Sequence, residues 1–200
     1  MSEISYLMGL DLGQASDYTA LAILQRTLPA NGTNSKEKFF AVRHLERFPL
    51  GTSYPTICER VVDLFDEPPL ANGTLAVDQT GVGRAVVDLI RRARPQAIIR
   101  PITIIAGHAV VPDEAGWHVP KKELVSVMQV LLQSRRLQVA RLLPMAPLLI
   151  RELETFRVKI TANANETFES WRERDHDDLV LAVAMAAWVG DRGLKQFWMR

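Results

Sequence analysis

Tyr6-Leu7-Met8-Gly9-Leu10-Asp11 is an apolar run that stops on a carboxylate, and a second run, Thr74-Leu75-Ala76-Val77-Asp78, stops in the same way. A third acidic position, the pair Asp177-Asp178, opens the apolar segment of residues 179–189. Two strand ends and a helix start are where an α/β fold can gather negative charge at one point. Acids gathered there repel one another unless a cation joins them, and hard divalent cations such as Mg²⁺ and Mn²⁺ select carboxylate oxygens. The matched contexts therefore predict a divalent-metal site.

Outward from the first run, residues 6–12 and 18–26 are β-compatible and are joined by Gly13-Gln14-Ala15-Ser16-Asp17, which predicts an antiparallel hairpin. Pro29, Asn31-Gly32 and Asn34-Ser35 place a loop over residues 27–38, before a third strand over 39–48. Ser53-Tyr54-Pro55-Thr56 precedes the stripe Ile57, Val61, Leu64 and Phe65, which predicts a helix over 54–66 with Thr56-x-x-Glu59 as its capping box. A short strand follows over 74–78. The stripe Val82, Val86, Leu89, Ile90 and Ala93 marks a second helix closed by Pro95, and residues 97–105 form another strand.

Residues 106–120 carry Gly107, Pro112, Gly116 and Pro120 and read as the longest irregular stretch, a length usually reserved for functional or mobile loops. Leu124, Val127, Met128 and Leu131 predict a helix over 121–134. Residues 137–140 suit a short extended piece and 147–156 a short helix. Residues 157–160 and 166–169 flank the turn-prone Thr161-Ala162-Asn163-Ala164-Asn165, which suggests a late β-hairpin, and a last helix runs over 177–189.

Three strands followed by alternating helices and strands describe an α/β fold, a mixed central sheet with helices on its faces. In that arrangement the first strand is central and the fourth lies beside it in parallel. Asp11, Asp78 and the start of the last helix then meet at one edge.

The 200 residues with 48% hydrophobic content suit one domain over residues 1–200 with a full core. A formal net charge of +1 excludes a strongly basic nucleic-acid coat, so any DNA contact comes from local patches. Cys58 is the one cysteine and shares a helical stripe with Ile57 and Val61, the setting of a buried inert thiol, so no disulfide scaffold forms within a monomer. No apolar stretch approaches the roughly 18 to 20 residues of a membrane span, and the N-terminus lacks a basic region followed by an apolar core. These features predict a soluble protein of a reducing compartment.

Three motifs carry a closer likeness: Gly9-Leu10-Asp11-x-Gly13 followed by Asp17-Tyr18-Thr19, then Val77-Asp78-x-x-Gly81-Val82-Gly83, then His176-Asp177-Asp178-Leu179-Val180-x-Ala182-Val183-Ala184-Met185-Ala186. In order, spacing and structural context they resemble the nuclease domain of phage large terminase subunits, within the ribonuclease H-like superfamily. The resemblance spans nearly the whole chain. It implies metal-dependent endonucleolytic cleavage of double-stranded DNA during genome packaging, in the cytoplasm of a bacterial host, by a phage- or prophage-encoded protein. It also implies a packaging ATPase, a portal or a small terminase subunit as partners, and no membrane.

Carried over, Asp11, Asp78 and Asp178 would ligate Mg²⁺ or Mn²⁺, and Asp177 would ligate a second ion or hold a bound water. Phosphodiester hydrolysis suits such a site, because two metals about 3.5 to 4 Å apart lower the pKa of the attacking water and balance the leaving oxygen. His176 is a candidate to support a ligand or to move a proton. Arg84, Arg91, Arg92, Arg94, Lys121 and Lys122 are candidates for phosphate contacts that position DNA without reading its sequence, and a solvated helix face would explain the arginines equally. Gly81-Val82-Gly83 lets the backbone approach a ligand or simply turn tightly into the helix. Trp117 could stack on nucleic acid or be a partly buried aromatic. Trp171 and Trp188 read as core, and Phe197 and Trp198 as a contact for a partner.

Large terminase subunits also carry an ATPase, and no Gly-x-x-x-x-Gly-Lys-Ser/Thr phosphate loop occurs here. Three rival readings share the motifs: a RuvC-type junction resolvase, one lobe of an actin-like or sugar-kinase-type ATPase, and an inactive DNA-binding module.

Overall fold

A computed structural model describes residues 2–13, 17–29, 37–93, 95–162 and 177–192, with side chains at all of these except 156–162. The opening meander forms as the sequence predicts: β1 (Glu3–Asp11), β2 (Ala20–Leu28) and β3 (Phe39–Arg47), with β1 and β2 antiparallel and Asp11 opposite Ala20. After α1 (Tyr54–Asp66), β4 (Gly73–Asp78) returns parallel to β1, with Leu10 opposite Val77. Next come α2 (Gly83–Ala93), β5 (Ala97–Ile105), β6 (Val111–Pro112), β7 (Trp117–Pro120), α3 (Lys121–Gln133), β8 (Leu137–Val139), α4 (Ala146–Ala162) and α5 (Asp178–Arg192). The strands make one sheet in the order β6-β7-β5-β4-β1-β2-β3-β8.

Alternation along the strands splits the core into two layers. Met8, Leu10, Leu75 and Val77 face α1 and α2, where Ile57, Val61, Phe65, Val86 and Ile90 are buried. Leu7, Ala22, Leu24 and Ala76 face α3, α4 and α5. The last helix is buried on every side from Asp178 to Gly190, which explains why its sequence is apolar all round rather than striped. Each large side chain sunk in this way contributes about 1.5 to 3 kcal/mol, so packing rather than helix propensity holds α5 in place.

Three expectations are corrected. Residues 106–120 are not one irregular loop: they include β6 and β7, which extend the sheet beyond β5. Pro112 is tolerated because β6 is the edge strand, and Pro120 because it is the last residue of β7. The first arm of the late hairpin, residues 157–160, is helical and belongs to α4, which continues to Ala162, while its second arm lies outside the described residues. The cap of α1 is Ser53, whose Oγ accepts from Thr56 N at 3.3 Å, so the capping residue stands three positions before the predicted Thr56. Cys58 is buried as expected, and burial pushes its thiol up.

Candidate active site

Leu10 and Val77 are neighbours in parallel register, so the next residue on each strand, Asp11 and Asp78, leaves the sheet at the same edge. Both point to the α5 side, in phase with Leu7 and Ala76. Gly9 sets how close α5 comes. A Cβ at Gly9 would lie 1.8 Å from the carbonyl oxygen of Ala182, so only a glycine lets helix backbone rest on strand backbone there. Ala182 stands one helical turn beyond Asp178, and Gly9 stands two residues before Asp11. That contact therefore brings the first turn of α5 over the end of β1.

Asp11, Asp78 and Asp178 are all buried, at 8%, 7% and 7% exposure. Burial pushes the Asp11 carboxyl well above its ordinary range, and the charges of Asp78, Asp178 and Asp177 push it further while Lys121 pulls it back. Asp11 thus feels the carboxylates of β4 and of the start of α5, with Lys121 as a counter-charge. Among the described residues no three His, Cys, Asp or Glu side chains stand ready to hold a metal ion as they are. The donors nevertheless fit one in kind: all are carboxylate oxygens, mutually repulsive and desolvated, which is a setting that a hard divalent cation relieves.

Supporting bonds fix the acids. Asp78 Oδ1 accepts from Thr80 N at 2.8 Å and from Thr80 Oγ1, which in turn accepts from Ile104 N of β5 at 3.0 Å. Beyond Asp11, Gly13 N donates to Thr19 Oγ1 at 3.1 Å and the Tyr54 hydroxyl donates to Gly13 O at 3.0 Å. This gives the Gly13 and Thr19 positions of the first motif a local role. Gly81 is left-handed at φ 62°, and a Cβ at Gly83 would meet Asp78 O at 2.3 Å. The glycines after Asp78 therefore serve a tight turn into α2.

The two C-terminal acids diverge. Asp177 precedes α5, its carbonyl accepts from Leu181 N at 2.9 Å, and its carboxylate pairs with Lys121 Nζ at 3.0 Å. Lys121 opens α3 and is itself largely enclosed, so it lies inside the site rather than on an outer DNA-facing surface. The adjacent Lys122 is exposed and its Nζ contacts His108 Nδ1 at 2.7 Å. Arg84 and Arg92 are exposed on α2, and Arg91 pairs with Asp88 at 3.6 Å. Trp117 packs edge-on against the buried Trp188, their ring centroids 6.2 Å apart, so it serves the core. His176, Arg94, Trp171, Phe197 and Trp198 lie outside the described residues.

Sequence reasoning missed one buried acid. Glu152 of α4 is 5% exposed, and its Oε2 accepts from Leu179 N at 3.0 Å and Val180 N at 3.2 Å, the first turn of α5. Burial, with the Asp178 charge adding, pushes its carboxyl up to about 7 against the pull of those two N–H groups and of Arg47. A signal was present: Glu152 falls three residues after Leu149 and one before Leu153, in the apolar stripe of its helix.

An eight-stranded mixed sheet whose antiparallel first three strands precede parallel β4 and β5, with acids at the ends of β1 and β4 and at the head of the last helix, is a ribonuclease H-like fold. Among solved structures, the chain is similar to the large terminase nuclease from thermophilic phage G20c, at 18% identity and a TM-score of 0.57 over 92% of this chain and 81% of that one. It also aligns with Thermus thermophilus RuvC at 11% identity and a TM-score of 0.48, over 94% of this chain and 96% of that one. No protein-family profile and no curated protein sequence matches the chain. No helix among the described residues is long and apolar enough to cross a membrane.

Proposed function

We propose that residues 1–200 form a divalent-metal-dependent endonuclease domain that hydrolyses phosphodiester bonds of double-stranded DNA, as the nuclease of a phage packaging system would. The observation that carries this reading is the convergence of Asp78, Asp177 and Asp178 on the buried Asp11. The shared fold with a terminase nuclease supports it. Asp11, Asp78 and Asp178 would hold Mg²⁺ or Mn²⁺, their carboxylates turning inward to complete the ligand set. When bound, the metal supplies a lowered water pKa and a counter-charge for the leaving oxygen.

The chain's own residues do the rest. Thr80 keeps the Asp78 carboxylate in one orientation through its N–H and hydroxyl. Lys121, held by Asp177, offsets part of the negative charge around Asp11 and adds a positive group beside an incoming phosphate. Arg84 and Lys122, exposed at the starts of α2 and α3, would contact DNA phosphates without reading sequence. A packaging ATPase, portal or small terminase subunit would deliver the DNA within the bacterial host.

The test is a plasmid assay with Mn²⁺ or Mg²⁺. The parent should nick or linearise supercoiled DNA with little sequence preference. Asp11→Asn, Asp78→Asn and Asp178→Asn should each abolish cutting while the circular dichroism spectrum stays that of the parent. Three folded variants that cut like the parent would remove the assigned site.

A further inference from the structure

The geometry points to Glu152 as a positioning residue: a buried acceptor, delivered from α4, that fixes the first turn of α5 and with it the Asp178 carboxylate. The inference rests on the reading of Asp178 as a metal-binding group.

The first N–H groups of any helix lack partners within the helix, and usually the residue just before it accepts from them through its own side chain. Asp177 holds that place before α5, yet its carboxylate is turned to Lys121 at 3.0 Å. The vacated duty falls to Glu152, whose Oε2 accepts from both Leu179 N and Val180 N, at 3.0 and 3.2 Å. The exchange frees Asp177 to place the lysine and leaves the helix start capped.

Glu152 is itself anchored. Among the described residues its Oε1 accepts no hydrogen bond, and Arg47 Nη1 at the end of β3 lies 3.9 Å away, with the Arg47 guanidinium stacked 4.0 Å above the centre of the Tyr18 ring. Tyr18 lies in the β1–β2 connection that follows Asp11, and Arg47 pairs with Ala20 across β2. One chain of contacts thus runs from the Asp11 connection through Tyr18, Arg47 and Glu152 to the turn that bears Asp178. Reactive groups must be held to about 0.5 Å, and partners one step behind metal ligands typically change metal affinity about 10- to 100-fold when removed.

The experiment compares the parent with Glu152→Ala and Glu152→Gln. It follows amide hydrogen exchange at Leu179 and Val180, Mn²⁺ affinity by calorimetry, and plasmid nicking resolved into kcat and KM. Glu152→Gln keeps a carbonyl oxygen to accept the two N–H bonds. Glu152→Ala should speed exchange at those two amides while strand amides stay protected, weaken Mn²⁺ binding about tenfold or more, and lower kcat with KM for DNA within about twofold. Glu152→Gln should restore most of all three. Should Glu152→Ala fail to fold, Glu152→Asp, whose reach is one methylene shorter, should show the same losses in smaller degree.

A parent that binds no Mn²⁺ overturns the nuclease reading and this inference with it. A parent that binds Mn²⁺ no better than Glu152→Ala or Glu152→Asp overturns this inference alone. So does a Glu152→Gln as impaired as Glu152→Ala with its α5 amides still protected, since charge rather than capping would then matter.

Discussion

The two ends of β1 and β4 differ in charge and shape. At the ends where both strands finish, Asp11 and Asp78 meet Asp177 and Asp178 in a crowded, buried setting. At the ends where they begin, a cleft of about 610 Å³ is lined by Ser5, Asn72, Thr74, Arg26 and Arg100 among others, with no acid among the described residues of its wall. Burial lowers the pKa of the Arg100 guanidinium in that cleft. The proposed nuclease reading nevertheless assigns the chemistry to the crowded end, because concentrated carboxylates suit a hard divalent cation.

The sharpest way to break that contrast is a charge change at each end. Asp11→Asn, Asp78→Asn or Asp178→Asn should lower Mn²⁺-dependent nicking by about 10²- to 10³-fold or more, whereas Arg100→Gln should leave it within about twofold. Loss of cutting in Arg100→Gln alone would relocate the working end of the sheet.

Next in size is the approach of α5. Gly9→Ala places a methyl group 1.8 Å from Ala182 O, so the helix must lift from β1. Chemical denaturation should show a loss of about 1 to 3 kcal/mol or more, and nicking should fall because Asp178 moves with the helix. An unchanged midpoint would mean that α5 is not seated on β1.

A smaller effect is the pH dependence of the metal-free protein. Asp11 and Glu152 both have carboxyls raised in the fold, so the folded state binds their protons more tightly than the unfolded chain does. Their share of stability is fully present below the ordinary carboxylate values and is lost as pH rises, from 4.5 to about 7 for Glu152. In EDTA, denaturation midpoints should fall over this window, and Asp11→Asn should flatten the decline. Added Mn²⁺ should restore stability at high pH in the parent and less so in that variant.

The smallest effect concerns DNA delivery. Arg84→Ala and Lys122→Ala should each weaken duplex binding less than about tenfold and reduce the slope of log affinity against log salt by about one. Binding isotherms at several salt concentrations would show whether either residue touches phosphate at all.

Much of this was written locally. The hairpin, the strand ending at Asp78 and the all-apolar last helix are statements about neighbours in sequence, where period and turn residues speak directly. What escaped was written in contacts. β6 and β7 are two and four residues long and gain strand character only by pairing beside β5. Residues 157–160 have β-compatible residues beside a turn signal, yet the helix begun at Ala146 carries through them. Glu152 shares the apolar stripe of Leu149 and Leu153, which marks it as inward-facing, but only docking against α5 gives it partners.

The sequence by itself determined the order of β1 to β5 and of the five helices, and which carboxylates stand at their ends, because backbone preference and apolar period are properties of short segments. Only the tertiary structure decided that Asp177 turns to Lys121, that Glu152 takes over the helix cap, and that Gly9 sets the depth at which α5 rests. Those choices depend on which groups meet when positions as far apart as Gly9 and Ala182 have folded back on each other, and no local preference encodes such a meeting.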